Sequence, residues 1–280
     1  MPKTTAWRAP ALLRDLTHAS PGAAFQLSDI DPADERLCSG DKPADKQRVE
    51  ALAIELDEWQ NLLFADKRHA LLVVLQGMDA SGKDGTLRGV FSRMSPLGVR
   101  TVAWKAPNEE ERAHDPLWRI HRAVPAKGEV VVFNRSHYED VLVPVVERTV
   151  TDTERLQRYA RINDFERSLC ETGTVVCKFM LHISKAEQRQ RLQERLDDPT
   201  KRWKFDPHDL DVRRRWAAYQ RAYDAAIRAT GTPWAPWTIV PADSKTHRNL
   251  VVATVLLHRL KAMGLRYPPL PDALKGIAVR

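Results

Sequence analysis

Apolar residues along the chain keep two spacings, and the alternation between them predicts the fold. From Gln47 to Lys67 the positions Val49, Leu52, Ile54, Leu56, Trp59, Leu62 and Leu63 recur at helical spacing and predict an amphipathic helix. Leu71 to Leu75 is an unbroken apolar run ending at Gly77, the pattern of a strand buried on both faces. Beyond it the pattern predicts helix Asp84–Met94, strand Arg100–Trp104, helix Pro116–Ala123 and the strand Glu129–Phe133, whose sequence is EVVVF. A long helix over Asp152–Glu171, strand Thr174–Ile183 and helix Lys185–Leu196 follow. The series closes with helix Asp209–Ala229, strand Thr238–Val240 and helix Thr246–Met263. Strands that alternate with helices imply a central parallel sheet with helices on both faces, an α/β fold in three α/β/α layers.

Residues 1–46 are rich in Pro, Asp and Ala and weakly periodic, so they read as an N-terminal arm with little regular structure. Residues 47–265 read as one domain, and 266–280 as a Pro-rich surface tail. The N-terminus lacks the apolar core of a secretion signal, being interrupted by Arg8, Arg14, Asp15 and His18. No apolar run is long enough to span a bilayer. Cys38, Cys170 and Cys177 form no CxxC pair and leave an odd count. A reduced, cytoplasmic location without membrane attachment is therefore expected.

A net charge of +7 and a pI near 9.4 favour a polyanionic partner without choosing among nucleic acid, acidic lipid and polyphosphate. The motifs narrow that choice. Gly77-Met-Asp-Ala-Ser-Gly-Lys83 has the G-x4-G-K spacing of a phosphate-binding loop, with a buried strand before it and a helix after it. Its glycines let backbone N–H groups turn inward around a phosphate, and the helix N-terminus adds partial positive charge. Gly77, Ala80, Ser81, Gly82, Asp84 and Gly85 are thus candidate phosphate-binding positions, with Lys83 reaching the outer phosphates. Such loops usually place Ser or Thr after the lysine to hold a metal. Here the position is Asp84, so the metal duty falls most simply on Asp79, and Asp84 either shares it or caps the helix.

A second cluster, Asn134-Arg-Ser-His-Tyr-Glu-Asp140, follows EVVVF. Ligands of parallel α/β sheets bind beyond the carboxyl ends of strands, which predicts this segment beside the phosphate loop. Arg135 offers a guanidinium to phosphate, and Glu139 and Asp140 offer carboxylates to metal. His114 and His121 lack the cysteine or carboxylate company of a metal site, and Trp203, Trp216, Trp234 and Trp237 read as core packing.

Taken together, GMDASGKDG and FNRSHYEDVLV closely resemble the family-2 polyphosphate kinases, and the resemblance runs from about residue 47 to the closing helix. It takes in ERLDDPTKRWKFDPHDL, similar to that family's lid, and TPWAPWTIVPADSKTHRNL. The resemblance implies a P-loop kinase-like fold with a helical lid near 185–215. It also implies Mg2+-dependent transfer between inorganic polyphosphate and nucleotides, with Mn2+ as an alternative metal. Asp79 and Lys83 then carry metal and phosphate, and Arg135 holds the transferring phosphate. Glu139, Asn134 and His137 follow the subgroup that acts on both AMP and ADP, whereas the diphosphate-specific subgroup tends to have FDRSWYNR. Adenine nucleotides are the implied acceptors, with guanine nucleotides left open, and the family analogy implies a homo-oligomer.

Residues 185–215 hold ten Lys or Arg against seven acids, and a lid with cations on its inner face would close over the phosphate. Arg191, Arg195 and Lys201 are the candidates there. An ATP-dependent P-loop kinase shares this fold and differs in donor. A non-catalytic nucleic-acid-binding protein also fits the charge, but no nucleic-acid-binding motif is present, and nucleic acid is not an expected partner.

Overall fold

The seven residues Ala70–Gln76 are buried along their whole length, and the other elements are arranged around them. The computed structural model describes residues 8–279. In chain order the strands are β1 (Thr17–His18), β2 (Ala70–Gln76), β3 (Val99–Ala103), β4 (Val130–Asn134), β5 (Thr174–His182) and β6 (Trp237–Pro241). The helices are α1 (Lys42–Asp66), α2 (Lys83–Val90), α3 (Glu109–Arg112), α4 (Trp118–His121), α5 (Val143–Glu147), α6 (Asp152–Glu171), α7 (Lys185–Asp197), α8 (His208–Arg214), α9 (Trp216–Thr230) and α10 (Lys245–Ala262).

The sheet order is β1-β6-β5-β2-β4-β3, parallel throughout except for the β1–β6 pair. Side chains alternate across a strand, so β2 feeds two cores. Leu72 and Val74 pack on one face with residues of α6 and α9, whereas Leu71, Val73 and Leu75 pack on the other with α1 and α10. Both faces are covered, which is why the strand reads as continuous rather than alternating apolar sequence. This is the expected three-layer P-loop kinase-like fold.

Most predicted elements are present, and the departures have local causes. Helix α1 begins at Lys42, five residues before the apolar periodicity, because the Asp41 side chain accepts from the Ala44 N–H and Pro43 occupies the first turn. The expected helix over 116–123 shrinks to the single turn of α4. The unpredicted α3 is set by a reciprocal capping box between Asn108 and Glu111. The expected helix over 209–229 breaks into α8 and α9 at Arg215, whose N–H bonds both Asp211 and Val212 carbonyls as the turn tightens. Residues 8–41 are mostly irregular, as expected, but they are not peripheral. Leu13, Leu16 and Leu27 are fully buried, and β1 adds an antiparallel edge to the sheet, pairing Thr17 with Thr238.

Trp237 is buried, and Trp216 and Trp234 pack partly against the core, but Trp203 is 76% exposed, contrary to the core-packing expectation. No helix among the described residues is long and apolar enough to cross a membrane. Cys38, Cys170 and Cys177 are free thiols.

Because Leu72 is fully buried at the centre of the sheet, Leu72→Ala should lower stability by about 2–5 kcal/mol. Urea unfolding checks this, and an unchanged midpoint would contradict the placement of β2.

Candidate active site

Strand register brings the two motifs together. Leu75 of β2 lies opposite Asn134 of β4, and the Arg135 N–H donates to the Leu75 carbonyl at 3.0 Å. Both chains then leave the sheet at the same edge, one into the loop 77–82 and the other into 135–142. Arg135 pays for its sharp exit with a left-handed backbone, φ 64°.

The loop shows why its glycines are glycines at two positions. Gly77 has φ 150°, and a Cβ there would sit 2.6 Å from the Leu181 carbonyl oxygen. Gly82 has φ 106°, and its Cβ would fall 1.9 Å from Arg248 Nη1. Ala80 is also left-handed, φ 62°. Alternation of this kind turns successive backbone N–H groups to one side, the geometry of an anion-binding nest. Ser81 is fully buried in the turn, its N–H bonded to the Met78 carbonyl. Helix α2 starts at Lys83 immediately after it, so its first N–H groups have no intrahelical partner.

Around the nest stand five charged side chains, Lys83, Asp79, Arg135, Glu139 and Asp84. Lys83 Nζ folds back to donate to the carbonyls of Gly77 (2.6 Å) and Met78 (3.3 Å). Burial pulls the ammonium pKa down and Arg135 adds to that, against the opposing charges of Asp79, Glu139 and Asp84. Arg135 Nη2 donates to Asp79 Oδ1 at 3.0 Å. Glu139 Oε1 accepts from Gln76 Nε2 at 3.1 Å, and Gln76 Oε1 accepts from the Ser136 hydroxyl at 3.2 Å. Asp84 accepts from Asn134 (3.0 Å) and Lys204 (3.1 Å), which together outweigh burial and hold its carboxyl below the usual range.

The segment carrying Arg135 and Glu139 is anchored from below by a buried polar network. Lys178 Nζ donates to Glu166 Oε2 (2.6 Å), the Tyr138 hydroxyl (2.9 Å) and the Thr230 carbonyl (2.7 Å). Tyr138 in turn donates to Glu166 Oε1 at 2.8 Å. Burial opposes ionisation of Glu166, but Lys178 and His137 outweigh it and keep the carboxyl below its ordinary value. A buried charge pair of this kind is sustained by complete hydrogen bonding, and here it fixes the backbone between two site residues.

A strand-loop-helix nest with a lysine, a facing arginine and two carboxylates has the chemistry to hold phosphoryl groups, and comparison with known proteins gives the chain its family. Residues 39–268 match the family model described as polyphosphate kinase 2 (PPK2). This chain belongs to the polyphosphate kinase 2 family. It is 49% identical over 259 residues to an AMP/ADP-polyphosphate phosphotransferase of Meiothermus ruber, covering 92% of this chain and 97% of that one. Identity to an ADP-polyphosphate phosphotransferase of Rhodopseudomonas palustris is 39%, over 76% of this chain and 78% of the relative. The crystal structure of polyphosphate kinase 2 from Arthrobacter aurescens TC1 superposes with a TM-score of 0.88 at 42% identity, covering 95% of this chain and 93% of that chain. Enzymes of the polyphosphate kinase 2 family are metal-dependent kinases.

Not every predicted site residue of this polyphosphate kinase 2 chain comes together. Gly77, Asp79, Ala80, Ser81, Gly82, Lys83, Asp84 and Gly85 lie on the loop and the first turn of α2, with Arg135 and Glu139 facing them. Asp140 turns the other way, its carboxylate 4.0 Å from Arg119, beside a cavity of about 560 Å³ between α4 and α6. Arg191 lies behind the loop, bonded to the Ala80 and Ser81 carbonyls rather than facing the cleft. Arg195 pairs with Asp209 at 3.2 Å, and Lys201 with Asp198 at 2.7 Å on the surface. Among the described residues no three His, Cys, Asp or Glu side chains gather into a metal cage. Asp79 and Glu139 are the carboxylates beside the nest that would be available to a hard divalent cation.

Sequence reading missed Gln76, Gln188, Asp209 and Arg248. Gln76 ends the buried strand and carries the polar link to Glu139, a polar residue at the end of an apolar run being the available signal. Arg248 is 3% exposed beneath Gly82 and Gly85, and among the described residues it donates only to Asn249 Oδ1. Burial, with Arg191 nearby, brings its pKa down to about 9.

Asp209 is pushed up to about 6, by burial first and then by the charge of Asp79. Its unfolded value is roughly 4. Between these values the folded protein keeps a proton that the unfolded chain has released, so stability falls as pH rises from about 4 to about 6. Asp209→Asn removes that penalty. Without substrate or metal, the melting-temperature difference between variant and wild type should be more positive at pH 7 than at pH 4.5. Equal differences at the two pH values would contradict it.

Proposed function

We propose that this chain transfers phosphoryl groups between inorganic polyphosphate and nucleotides, carrying AMP to ADP and ADP to ATP by direct in-line displacement with Mg2+. The observation that carries the reading is that Lys83, Asp79, Arg135 and Glu139 stand together around the nest, within a chain of this family. The names of its relatives supply the substrates: an AMP/ADP-polyphosphate phosphotransferase at 49% identity and an ADP-polyphosphate phosphotransferase at 39%. Three free thiols accord with a cytoplasmic setting.

The chemistry asks little of the protein beyond position and charge. The acceptor is a nucleotide phosphate oxygen that is already anionic, so no general base is needed. The terminal P–O–P bridge of the donor breaks as the new P–O bond forms, and the released oxygen stays on the shortened polyphosphate. Loop amides and Lys83 hold the phosphates, and Arg135 neutralises charge on the transferring group. Arg135 releases Asp79 as it takes phosphate, which frees that carboxylate for the metal. Asp79 and Glu139 would hold Mg2+, which when bound neutralises phosphate charge. Asp140, held against Arg119, stands outside this set. Residues 185–215 form the lid, and Lys204 reaching Asp84 ties it to α2. Arg195 and Lys201 serve the lid's own ion pairs.

Purified protein with AMP or ADP, Mg2+ and long-chain polyphosphate, without ATP, should form ADP and ATP. Absence of product from both acceptors would refute the reading, and activity only with ATP as donor would assign an ordinary nucleotide kinase. Lys83→Ala should lower kcat by about 10²–10³-fold while the melting temperature holds. Glu139→Asn, which brings this position to the residue of the FDRSWYNR pattern, should lower the AMP-to-ADP ratio of kcat/KM. An unchanged ratio would remove Glu139 as the selector.

A further inference from the structure

Three consecutive carbonyls of the phosphate loop are held from outside the loop, all by one helix. Gln188 Nε2 donates to the Asp79 carbonyl at 3.0 Å. Arg191 Nη1 donates to the Ala80 and Ser81 carbonyls at 3.1 and 3.2 Å. Gln188 is fully buried and Arg191 nearly so, and both lie on α7. The remaining donors of Arg191 are also used. Nη2 reaches the Ala242 and Asp243 carbonyls, each at 2.7 Å, and Nε reaches Glu187 Oε1 at 2.8 Å. A guanidinium has five N–H donors, and all five are spent on fixed acceptors. None remains for a phosphate.

The trans peptide group makes this arrangement directional. Each carbonyl points opposite to the N–H of the next residue. Carbonyls 79, 80 and 81 drawn toward α7 therefore turn the amides of Ala80, Ser81 and Gly82 away from it. The Ser81 amide closes the turn on Met78, and those of Ala80 and Gly82 flank it. The left-handed backbone at Ala80 and Gly82 is the conformation that this pull requires. Helix α7 is itself fixed to the segment that follows β6, because the Ser184 N–H at its start donates to Asp243 Oδ1 at 2.8 Å. It is also tied to α8, where Arg213 Nη1 donates to Gln188 Oε1 at 3.0 Å and to the Lys185 carbonyl at 2.6 Å.

We propose that Gln188 and Arg191 are positioning residues for phosphoryl transfer, holding the loop's peptide planes through bonds to carbonyls 79, 80 and 81 so that the Ala80 and Gly82 amides face an anion while the Ser81 amide closes the turn. The inference rests on the reading of the loop as the phosphate site, and it gives α7 a role distinct from phosphate contact. A loop held this way is already organised when the transition state forms, so the cost of turning its dipoles falls on folding rather than on the reaction. Lysine at 191 keeps the charge but cannot reproduce a planar five-donor fork. Leucine at 188 keeps the volume and removes one donor.

The test is steady-state kinetics of Arg191→Lys and Gln188→Leu, with ADP varied at saturating polyphosphate and rates normalised to folded protein by circular dichroism. Misplacement of the loop should lower kcat by about 10²-fold in Arg191→Lys and by about tenfold in Gln188→Leu, with KM for ADP within about twofold of wild type. A role confined to folding would lower the melting temperature and leave normalised kcat intact, and kcat within about twofold of wild type in the folded variants would overturn the proposal. If Arg191→Lys fails to fold, Gln188→Leu decides alone. An inactive wild type overturns the functional reading, whereas active variants overturn this inference.

Discussion

The parallel pairing of the buried strand β2 with β4 is the constraint on which the site depends. One hydrogen bond, from the Arg135 amide to the Leu75 carbonyl, continues the ladder past the last apolar residue and sets where the second chain turns. A slip of one residue would exchange the two faces of a strand buried on both sides, so the apolar cores enforce the register. The cost of misplacing a site residue is thereby charged to the packing of Leu71 through Leu75, far from any phosphate.

Charge is distributed around the loop to suit a polyanion. Lys83 and Arg135 face the cleft, while Arg191 and Arg248 lie buried behind the loop and the first turn of α2. Arg191 is saturated by carbonyls and Glu187, but Arg248 meets no carboxylate among the described residues. Desolvated cations of this kind weaken an apoprotein and favour any state in which negative charge arrives nearby. Asp79 and Glu139 partly balance them, and Asp79 pairs directly with Arg135 at 3.0 Å.

The polar network beneath the second loop works by satisfaction rather than by attraction. Lys178 and Glu166 are each fully buried, and each finds several hydrogen-bond partners, with burial drawing the Lys178 ammonium pKa down against the opposing charge of Glu166. Tyr138 belongs both to that network and to the loop bearing Arg135 and Glu139. The loop is therefore carried by the core and not by its own conformation. A left-handed arginine at 135 persists because both of its neighbours in space, the strand ladder and this network, are fixed.

The sequence by itself determined the alternation of strands and helices, the three-layer fold, the phosphate loop and the pairing of that loop with the segment after β4. These are legible because buried strands, glycine spacing and the position of ligands at strand ends are local or topological rules. Helix starts were misplaced or passed over where a cap rather than apolar periodicity sets them, as at Asp41 and in the Asn108–Glu111 box. Tertiary structure decided which of several equivalent charges face the cleft. Glu139 and Asp140 are adjacent carboxylates, and only the direction of one turn sends the first to Gln76 and the second to Arg119. Arg191, Arg195 and Lys201 look alike as basic residues of one segment, yet the first braces the loop and the others pair with aspartates. Side-chain direction at a helix or turn depends on what packs against it, and that partner lies 111 residues away along the chain in the case of Arg191 and Ala80, where no local pattern records it.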